Sequence, residues 1–517
     1  MTRSYLHIFL FSLALLLFSP AHSEMPISVS SSLDSFHHDL DNMHLKLEKL
    51  SARWQLSPFG DGKLIIEQLK AKRLIVTIKN NESESKDSPL PKRINLPLPI
   101  SILQSEISEV VIITQDEQQV FHDVKLTFEG NANTLKLNLT HASTPWGNAT
   151  ANINLNAAQP FALKGEVSLK KTETEHPYDL SAQLSGDFNQ LNIDSSTWLA
   201  LQNGKISLLK ENTSQAAAKL ILHGQVDLNH DYKIHLDSQL LALRPERLGN
   251  YPTANLNVAL KLDGALKPSP NATLTVTTRD STWQTQAVSA SANALLTADA
   301  IEQLVFEVNV ATNKIKGAGN ISAQNTLLTW QAELANLTTF DQSYAGEINA
   351  NGSVEGQLHN PSINISLLAK KLRVANSLQI KEVSGDVAIV ASDNGMMKAN
   401  ITASTIQYGS NAPFNSNITL AGTQSAHEIT LTAEGKEDKL VSKVKGGLTL
   451  NQSSQKKQWQ GALQQLDYTG LAPVKLKAPA PLNANANGMA LTQAALTLNK
   501  GNIVIERLAL DHGQLSS

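Results

Sequence analysis

The sequence predicts an all-β protein, an elongated antiparallel β-sheet that curls around an apolar concave interior. Three observations support this fold class. Apolar and polar residues alternate with a period of two along most of the chain. Turn-forming Gly, Asn, Asp and Pro residues recur about every 8 to 12 positions in the denser stretches. Only 5% of the 517 residues are aromatic, and helical periodicity is scarce.

The alternation marks individual strands. It is clear in residues 135–139 (LKLNL), 152–156 (NINLN), 304–308 (LVFEV) and 448–450 (LTL). Successive side chains of a strand point to opposite faces, so each run has one apolar face and one polar, solvent-facing face. We expect the apolar members to line the interior of the curled sheet: Leu135, Leu137, Leu139, Ile153, Leu155, Leu304, Phe306, Val308, Leu448 and Leu450.

The curl follows from the number of strands. A meander of about 35 to 40 strands cannot stay flat, because strand twist accumulates and open sheets rarely exceed about 10 strands without curling. Several barrels or sandwiches, or one continuous curled sheet, would satisfy this constraint. Sandwich cores use large aromatic side chains, whereas this chain has six Trp residues and relies on Leu, Ile, Val and Ala. The composition therefore favours a long aliphatic groove.

The first 23 residues predict export. Arg3 precedes an apolar run of about 13 residues, Leu6 to Phe18, and small residues place a cleavage site after Ser23. The run is short for a membrane-spanning helix, which needs roughly 20 residues. We interpret residues 1–23 as a signal peptide or, alternatively, as a signal anchor, and expect the rest of the chain to be periplasmic.

Three further segments follow the signal. Residues 24–79 are a short N-terminal module, and residues 80–92 read as a flexible loop because they are polar, charged and without an apolar face. Residues 93–517 form the elongated β-groove array. The last strand pattern stops at Ser517 within a repeat, and we interpret the array as truncated at its C-terminus.

The composition argues against several function classes. The chain has no cysteine, so thiol catalysis and thiolate metal sites are excluded. A net charge of −3 with both signs interspersed provides no basic stripe for nucleic acid. His37 and His38 are adjacent, and neighbouring strand positions face opposite sides, which suits a metal ion poorly. No catalytic or phosphate-binding motif occurs. We predict no enzyme activity, no metal and no cofactor.

Several segments resemble one family. They are residues 45–54 (LKLEKLSARW), 62–66 (GKLII), 96–102 (LPLPISI), 243–252 (LRPERLGNYP) and 459–463 (WQGAL). In this order they are similar to the TamB family, the AsmA-like inner-membrane subunit of the translocation and assembly module. Because the chain stops within a repeat, it resembles an N-terminal portion of such a protein.

The resemblance implies a taco-shaped β-groove that spans the periplasm and is held at the inner membrane through its N-terminus. It implies assistance to outer-membrane protein assembly, autotransporter secretion and intermembrane phospholipid transport. The implied partner is a TamA-like outer-membrane barrel, and the implied cargo is phospholipid or unfolded outer-membrane protein strands. Two alternatives remain open: an adhesin-like or structural β-solenoid, and another AsmA-like lipid transporter.

Overall fold

The computed structural model describes most of the chain after residue 27. The described residues are 28–40, 43–57, 62–78, 92–96, 98–114, 118–228, 231–375, 377–392, 394–450, 457–485, 488–511 and 514–516. The predicted signal segment, residues 1–23, lies outside them, as does nearly all of the predicted loop, residues 80–92. The described residues form 33 strands and two short 3-10 helices.

The chain divides into two compact units. Unit 1 comprises Met1–Tyr251 and Ala259–Pro268, and unit 2 comprises Pro252–Val258 and Ser269–Ser517. Unit 1 contains thirteen complete strands and one 3-10 helix: β1 (Val29–Leu40), β2 (Met43–Leu56), β3 (Leu64–Ile78), β4 (Ile100–Ile113), β5 (Gln118–Gly130), β6 (Thr134–Thr144), β7 (Gly147–Asn156), β8 (Leu163–Lys171), β9 (Tyr178–Gly186), β10 (Gln190–Gln202), β11 (Lys205–Leu209), β12 (Ala216–Asp227), β13 (Lys233–Leu243) and η1 (Pro245–Arg247).

One strand, β14 (Ala254–Ala265), has residues in both units. The remaining elements belong to unit 2: β15 (Asn271–Thr278), β16 (Ser281–Trp283), β17 (Gln286–Thr297), β18 (Ala300–Val310), β19 (Asn313–Ser322), β20 (Thr326–Leu334), η2 (Leu337–Thr339), β21 (Tyr344–Gly356), β22 (Ser362–Val374), β23 (Leu378–Ile389), β24 (Met396–Tyr408), β25 (Phe414–Thr423), β26 (His427–Glu434), β27 (Lys439–Leu450), β28 (Lys457–Thr469), β29 (Val474–Leu476), β30 (Ala480–Asn485), β31 (Gly488–Leu498), β32 (Gly501–Asp511) and β33 (Gln514–Ser516).

Within each unit, neighbouring strands in sequence are neighbours in space. β17 to β28 form an uninterrupted antiparallel ladder in unit 2. β4 to β10 do the same in unit 1, and β12 and β13 extend that ladder. Short β11, β16, β29 and β30 share edges with longer neighbours. The predicted all-β class is confirmed. The strands also follow one another in space in the order of the chain, as the predicted elongated curled meander requires.

Two pairings of the described strands depart from the expected antiparallel pattern. The shorter is a single parallel pair between β11 and β9, with Leu208 opposite Tyr178. β3 and β4 are parallel, with Leu64 opposite Ile100 and Ile66 opposite Ile102. Parallel neighbours need a crossover of a dozen residues or more, and residues 79–99, which include the predicted polar loop, provide that length. The strands of the N-terminal module therefore continue directly into the sheet of the array. The domain boundaries placed around this loop stay predictions.

Bulges interrupt several of the ladders. Gln303, Thr405 and Asp123 have φ values of 50°, 51° and 53°, and each lies at a register shift of its strand pair. A bulge bends its strand and increases the local right-handed twist. These positions show how the strands depart from a flat sheet, and sequence periodicity alone did not reveal them.

Candidate functional site

The predicted lining residues of unit 1 lie together on one face. Leu135 pairs with Leu155, and Leu137 pairs with Ile153, on neighbouring β6 and β7. Leu139 packs against the main hydrophobic cluster of the unit. Paired residues on neighbouring strands share a face, so register partners can be followed from strand to strand.

Two apolar rows cross the strands of unit 1. The first row runs from β2 to β13 through aliphatic, aromatic and glycine residues: Trp54, Ile66, Ile102, Phe128, Leu137, Ile153, Gly165, Leu184, Ile193, Gly224 and Leu236. The second runs beside it from β3: Leu64, Ile100, Gly130, Leu135, Leu155, Leu163, Gly186, Leu191, Val226 and Ile234. No residue of either row is charged or has a polar side chain. We call this surface the apolar face of unit 1.

Unit 2 repeats the arrangement over more strands. Its central row is apolar at every one of fourteen consecutive register positions: Val276, Ala292, Phe306, Gly317, Trp330, Gly352, Ile365, Val387, Ala399, Leu420, Ile429, Val444, Leu463 and Ala480. Rows that begin at Leu304 and Val308 flank it on the same face. At about 4.8 Å per strand, thirteen steps follow the sheet for roughly 60 Å. These rows define the apolar face of unit 2.

Three predicted lining residues of unit 2, Leu304, Phe306 and Val308, therefore share one face. Leu448 lies on the apolar side of β27 but is 39% exposed. Its exposure has a physical reason. β26 ends its pairing at His427 opposite Gly446, so Leu448 has a strand neighbour only at Trp459 in β28. Leu450 ends β27, and its side chain lies outside the described part of the chain.

The apolar face of unit 2 is only partly covered. Phe306, Trp330, Ile365, Val387 and Leu420 are all of intermediate burial. The small residues among them are more enclosed, as Ala332 and Ala350 show. An ordinary core would bury large apolar side chains completely. This surface is therefore an apolar lining that keeps part of its area accessible.

Aromatic rings lie over glycines on this face. A Cβ added to Gly317 would come within 2.6 Å of the Phe306 ring, and one added to Gly352 within 2.9 Å of the Trp330 ring. Each ring thus occupies the space that the missing side chain of its register partner leaves. Such cross-strand covering of glycine stabilises a sheet.

A third aromatic residue makes a polar contact on the same face. Trp459 covers Gly446 and Gly461, and its Nε1–H donates to Nε2 of buried His427 at 2.8 Å. Since Nε2 accepts this bond, the proton of the neutral ring is on Nδ1, which donates to the Thr423 carbonyl oxygen at 2.8 Å. Both ring nitrogens of the histidine are therefore satisfied within the protein.

The opposite face of unit 1 is polar and carries ion pairs. His223 Nδ1 and the Asp194 carboxylate are 2.6 Å apart, His235 contacts Asp263, and Lys170 lies 3.0 Å from Asp179. Apart from Asp179, whose side chain is 21% exposed, these side chains are largely exposed, so the pairs contribute little to stability. Their alternation with the apolar rows follows directly from the period-two sequence pattern.

The opposite face of unit 2 contains a cleft of about 730 Å³. From β17 to β22 it is lined by two residues of each strand that alternate with the central apolar row: Ser291, Asn293, Val305, Glu307, Lys316, Ala318, Thr329, Gln331, Asn351, Ser353, Asn364 and Ser366. Five members of the row itself also line it: Phe306, Gly317, Trp330, Gly352 and Ile365. Two alternating residues of each strand line the cleft for every one from the central row, and at β17 Ala292 of that row is not among the lining residues, so we place the cleft on the polar face. We call it the polar cleft. Sequence reasoning missed it.

One carboxylate of the cleft has a perturbed pKa. Lys314 Nζ lies 2.8 Å from Glu307 Oε2, and Asn309 donates to Glu307 Oε1 at 3.0 Å. These hydrogen bonds, the lysine first and then the asparagine, lower the Glu307 pKa from its ordinary value of 4.5. The carboxylate is therefore ionised and compensated near neutral pH.

The histidines singled out in the sequence do not form a metal site in the described residues. His37 contacts Ser35 at 2.7 Å, whereas His38 stacks on Phe36. His44 pairs instead with Asp39 at 2.9 Å. Among the residues that the structure describes, no group of three or more His, Asp or Glu side chains is arranged to hold a metal ion. None of the described helices is long and apolar enough to cross a membrane.

Comparison with known proteins adds one finding. Residues 277–496 match the sequence model of the family described as TamB, N-terminal domain. This segment extends from the end of β15 to within β31, so it contains nearly the whole apolar face of unit 2 and all of the polar cleft. The predicted family resemblance is confirmed by this match. No curated protein and no solved structure matches the chain.

Proposed function

Because residues 277–496 belong to the TamB family, we propose that this protein is a periplasm-spanning β-groove that carries apolar cargo. In this proposal it aids outer-membrane protein assembly and autotransporter secretion, and it moves phospholipid between the two membranes. The protein acts through a surface rather than through a reaction, so no catalytic residue is assigned.

The apolar face of unit 2 is the observation that carries the proposal. Moving an acyl chain through water costs about 0.8 kcal/mol for each exposed CH₂ group. A row of aliphatic and aromatic residues that crosses fourteen strands without a charge removes much of this cost. Because its large side chains are only half-buried, they have area left to cover a chain that slides past.

The strand pairing favours phospholipid over a protein strand along this stretch. A polypeptide cargo that binds by β-augmentation needs an unpaired strand edge. Strands β18 to β27 are each paired on both sides. An acyl chain needs no backbone partner. We therefore assign the apolar face of unit 2 to acyl chains, with unfolded outer-membrane protein strands as the competing cargo.

Location and partner follow from the family. We place the protein in the periplasm, attached to the inner membrane through its N-terminus. A TamA-like outer-membrane barrel is the proposed partner. These two assignments rest on the TamB match and on the predicted export segment, residues 1–23.

Photocrosslinking in cells tests the conduit. A photoreactive amino acid is placed at Phe306, Leu137 or Ile153 on the apolar faces, and at Glu307 or Asn138 on the polar faces as matched controls. We expect adducts with labelled phospholipid from the apolar positions and not from the polar ones.

Two results would contradict the proposal. One is the absence of any lipid adduct from all three apolar positions, and the other is equal labelling from both faces. Adducts with unfolded outer-membrane proteins at Phe306, in place of lipid, would instead support the protein-strand cargo.

A further inference from the structure

The polar cleft of unit 2 has the form of a ligand site. Its volume of about 730 Å³ lies within the usual range for small-molecule sites, roughly 300 to 1,000 Å³. Consecutive β17 to β22 form its floor, so its position is fixed by paired strands rather than by loops. Sites on rigid strands hold their binding groups more precisely than sites on loops do.

Amides and hydroxyls dominate what the polar face contributes to the cleft. Eight of the twelve lining residues from this face are of this kind: Ser291, Asn293, Thr329, Gln331, Asn351, Ser353, Asn364 and Ser366. Each such group both donates and accepts hydrogen bonds. A ligand with many hydroxyl groups is complementary to this lining, because a hydroxyl also donates and accepts.

Several of these groups keep free hydrogen-bonding capacity. The Gln331 amide donates to Glu333 at 2.7 Å, and the Asn364 amide donates to Ser353 Oγ at 3.4 Å. A primary amide has two N–H donors and two acceptor positions. One bond each therefore leaves most of the capacity of both amides available to a ligand.

Charges of both signs surround the cleft. Lys314 and Lys316 lie beside Glu307, while Glu333 and Glu355 at its margin accept hydrogen bonds from residues that line it. An anionic ligand would meet these carboxylates, a cationic ligand would meet the lysines, and like charges repel. The cleft therefore suits an uncharged ligand.

A small apolar patch interrupts the polar lining. Val305 and Ala318 are register partners on β18 and β19 and both face the cleft. Val305 is 55% exposed, so its methyl groups are accessible. The patch fits a methyl group carried on an otherwise polar molecule.

We infer that the polar cleft binds an uncharged oligosaccharide of N-acetylated sugars. Its hydroxyls would bond to the amides of Gln331, Asn351 and Asn364, and the methyl group of an acetamido substituent would rest on Val305 and Ala318. This inference goes beyond the proposed lipid conduit, because the two surfaces are on opposite faces of the same strands.

Titration of the whole chain with the tetramer of β-1,4-linked N-acetylglucosamine tests the inference. We expect one saturable site with Kd of about 1 mM, since the cleft is open. Asn351→Ala and Gln331→Ala should each weaken binding about tenfold. Asn152→Ala removes an equally exposed amide from the polar face of unit 1 and should change nothing.

A second probe separates the contribution of the acetamido groups from that of the sugar hydroxyls. The β-1,4-linked glucose tetramer lacks the acetamido groups and should bind about fivefold more weakly. Equal binding of both tetramers, no saturable binding, or affinity unchanged by Asn351→Ala would each overturn the inference, and so would tighter binding of a sulfated polysaccharide. Lipid crosslinking at Leu137 and Ile153, which do not line the cleft, is read out separately, so either proposal can fail alone.

Discussion

The same kind of apolar row behaves differently in two regions of the molecule. In unit 1, the row that begins at Trp54 passes through a closed core at β2 to β4, where Ile66 is fully buried and Ile100 of the neighbouring row is 2% exposed. In unit 2, the equivalent positions Phe306, Trp330 and Ile365 are only half-buried. The register pattern is alike in both regions, so alternation alone does not decide whether a face is closed.

The difference arises from what packs on the row. In unit 1, Leu33 and Phe36 of β1 pack against the cluster, and so do Leu96 and Leu98 of the segment before β4. These residues close the apolar face at β2 to β4, whereas Leu137 and Ile153 further along the same face are of intermediate burial. Along β18 to β27 the described residues form no comparable buried cluster. A closed row gives stability, and an open row is available to cargo.

The largest effect should come from truncating the closed row. Ile66→Ala leaves a cavity in a fully buried site and should destabilise unit 1 by about 3 kcal/mol. Ile365→Ala, in the open row of unit 2, should cost about 1 kcal/mol, because the neighbouring space is already accessible to water. Hydrogen exchange measured by mass spectrometry reports both losses locally. Equal losses at the two sites would abolish the distinction between closed and open rows.

Replacing one glycine in each unit tests the same comparison between the two units, with a smaller expected loss of stability. Gly317→Ala places a Cβ 2.6 Å from the Phe306 ring and 2.9 Å from the Thr329 carbonyl oxygen. This crowding should cost about 2 kcal/mol. Gly224→Ala in unit 1 is the matched control, since its Cβ would meet no atom closer than 3.7 Å. We expect a lower denaturation midpoint for the first variant and no loss for the second. Similar losses would mean that the ring does not occupy the space over Gly317.

A hydrogen bond on the apolar face of unit 2 should contribute less to stability than the space over Gly317. Trp459→Phe keeps an aromatic ring over Gly446 but removes the Nε1–H that donates to His427. The buried Nε2 of the histidine would then lack a donor, at a cost of about 1 kcal/mol. Hydrogen exchange in β26 and β28 should rise accordingly. An unchanged exchange rate would show that another donor replaces the indole.

Period-two alternation predicted much of this arrangement. It identified the strands and placed Leu137 and Ile153 on an apolar face, where the structure makes them register partners. These features are local, because the face of a side chain depends only on its position within its own strand. The family resemblance was also available from the sequence alone, because it rests on segments that follow one another along the chain in the order typical of the family.

Register and coverage were not predictable in the same way. Phe306 covers Gly317, and Trp330 covers Gly352, only because turns and bulges set the pairing of β18 to β21. The exposure of Leu448 depends on where β26 begins. The polar cleft needs six strands to bend together, and no single segment of the sequence encodes that curvature. If the strand register had been known, the sequence would have shown aromatic residues opposite glycines on neighbouring strands, and this pattern would have predicted the covered glycines.

The smallest effect concerns the ion pair beside the polar cleft. Lys314→Gln removes the cation that lies 2.8 Å from Glu307, so the Glu307 pKa should return part of the way towards its ordinary value of 4.5. A carboxyl with a lowered folded-state pKa stabilises the fold above its unfolded pKa, and this stabilisation is lost as the pH falls through the lowered value. The wild type should therefore lose a little more stability than the variant on acidification below pH 4.5.

NMR titration of the Glu307 side chain measures the change in its pKa. The control is Lys398→Gln, which replaces a lysine on β24 outside the cleft. Identical Glu307 titration curves in the wild type and in Lys314→Gln would contradict the pairing. Because Asn309 still donates to Glu307 in the variant, and Lys316 still lowers the Glu307 pKa by its charge, only part of the lowering should disappear. The part that disappears measures the contribution of Lys314.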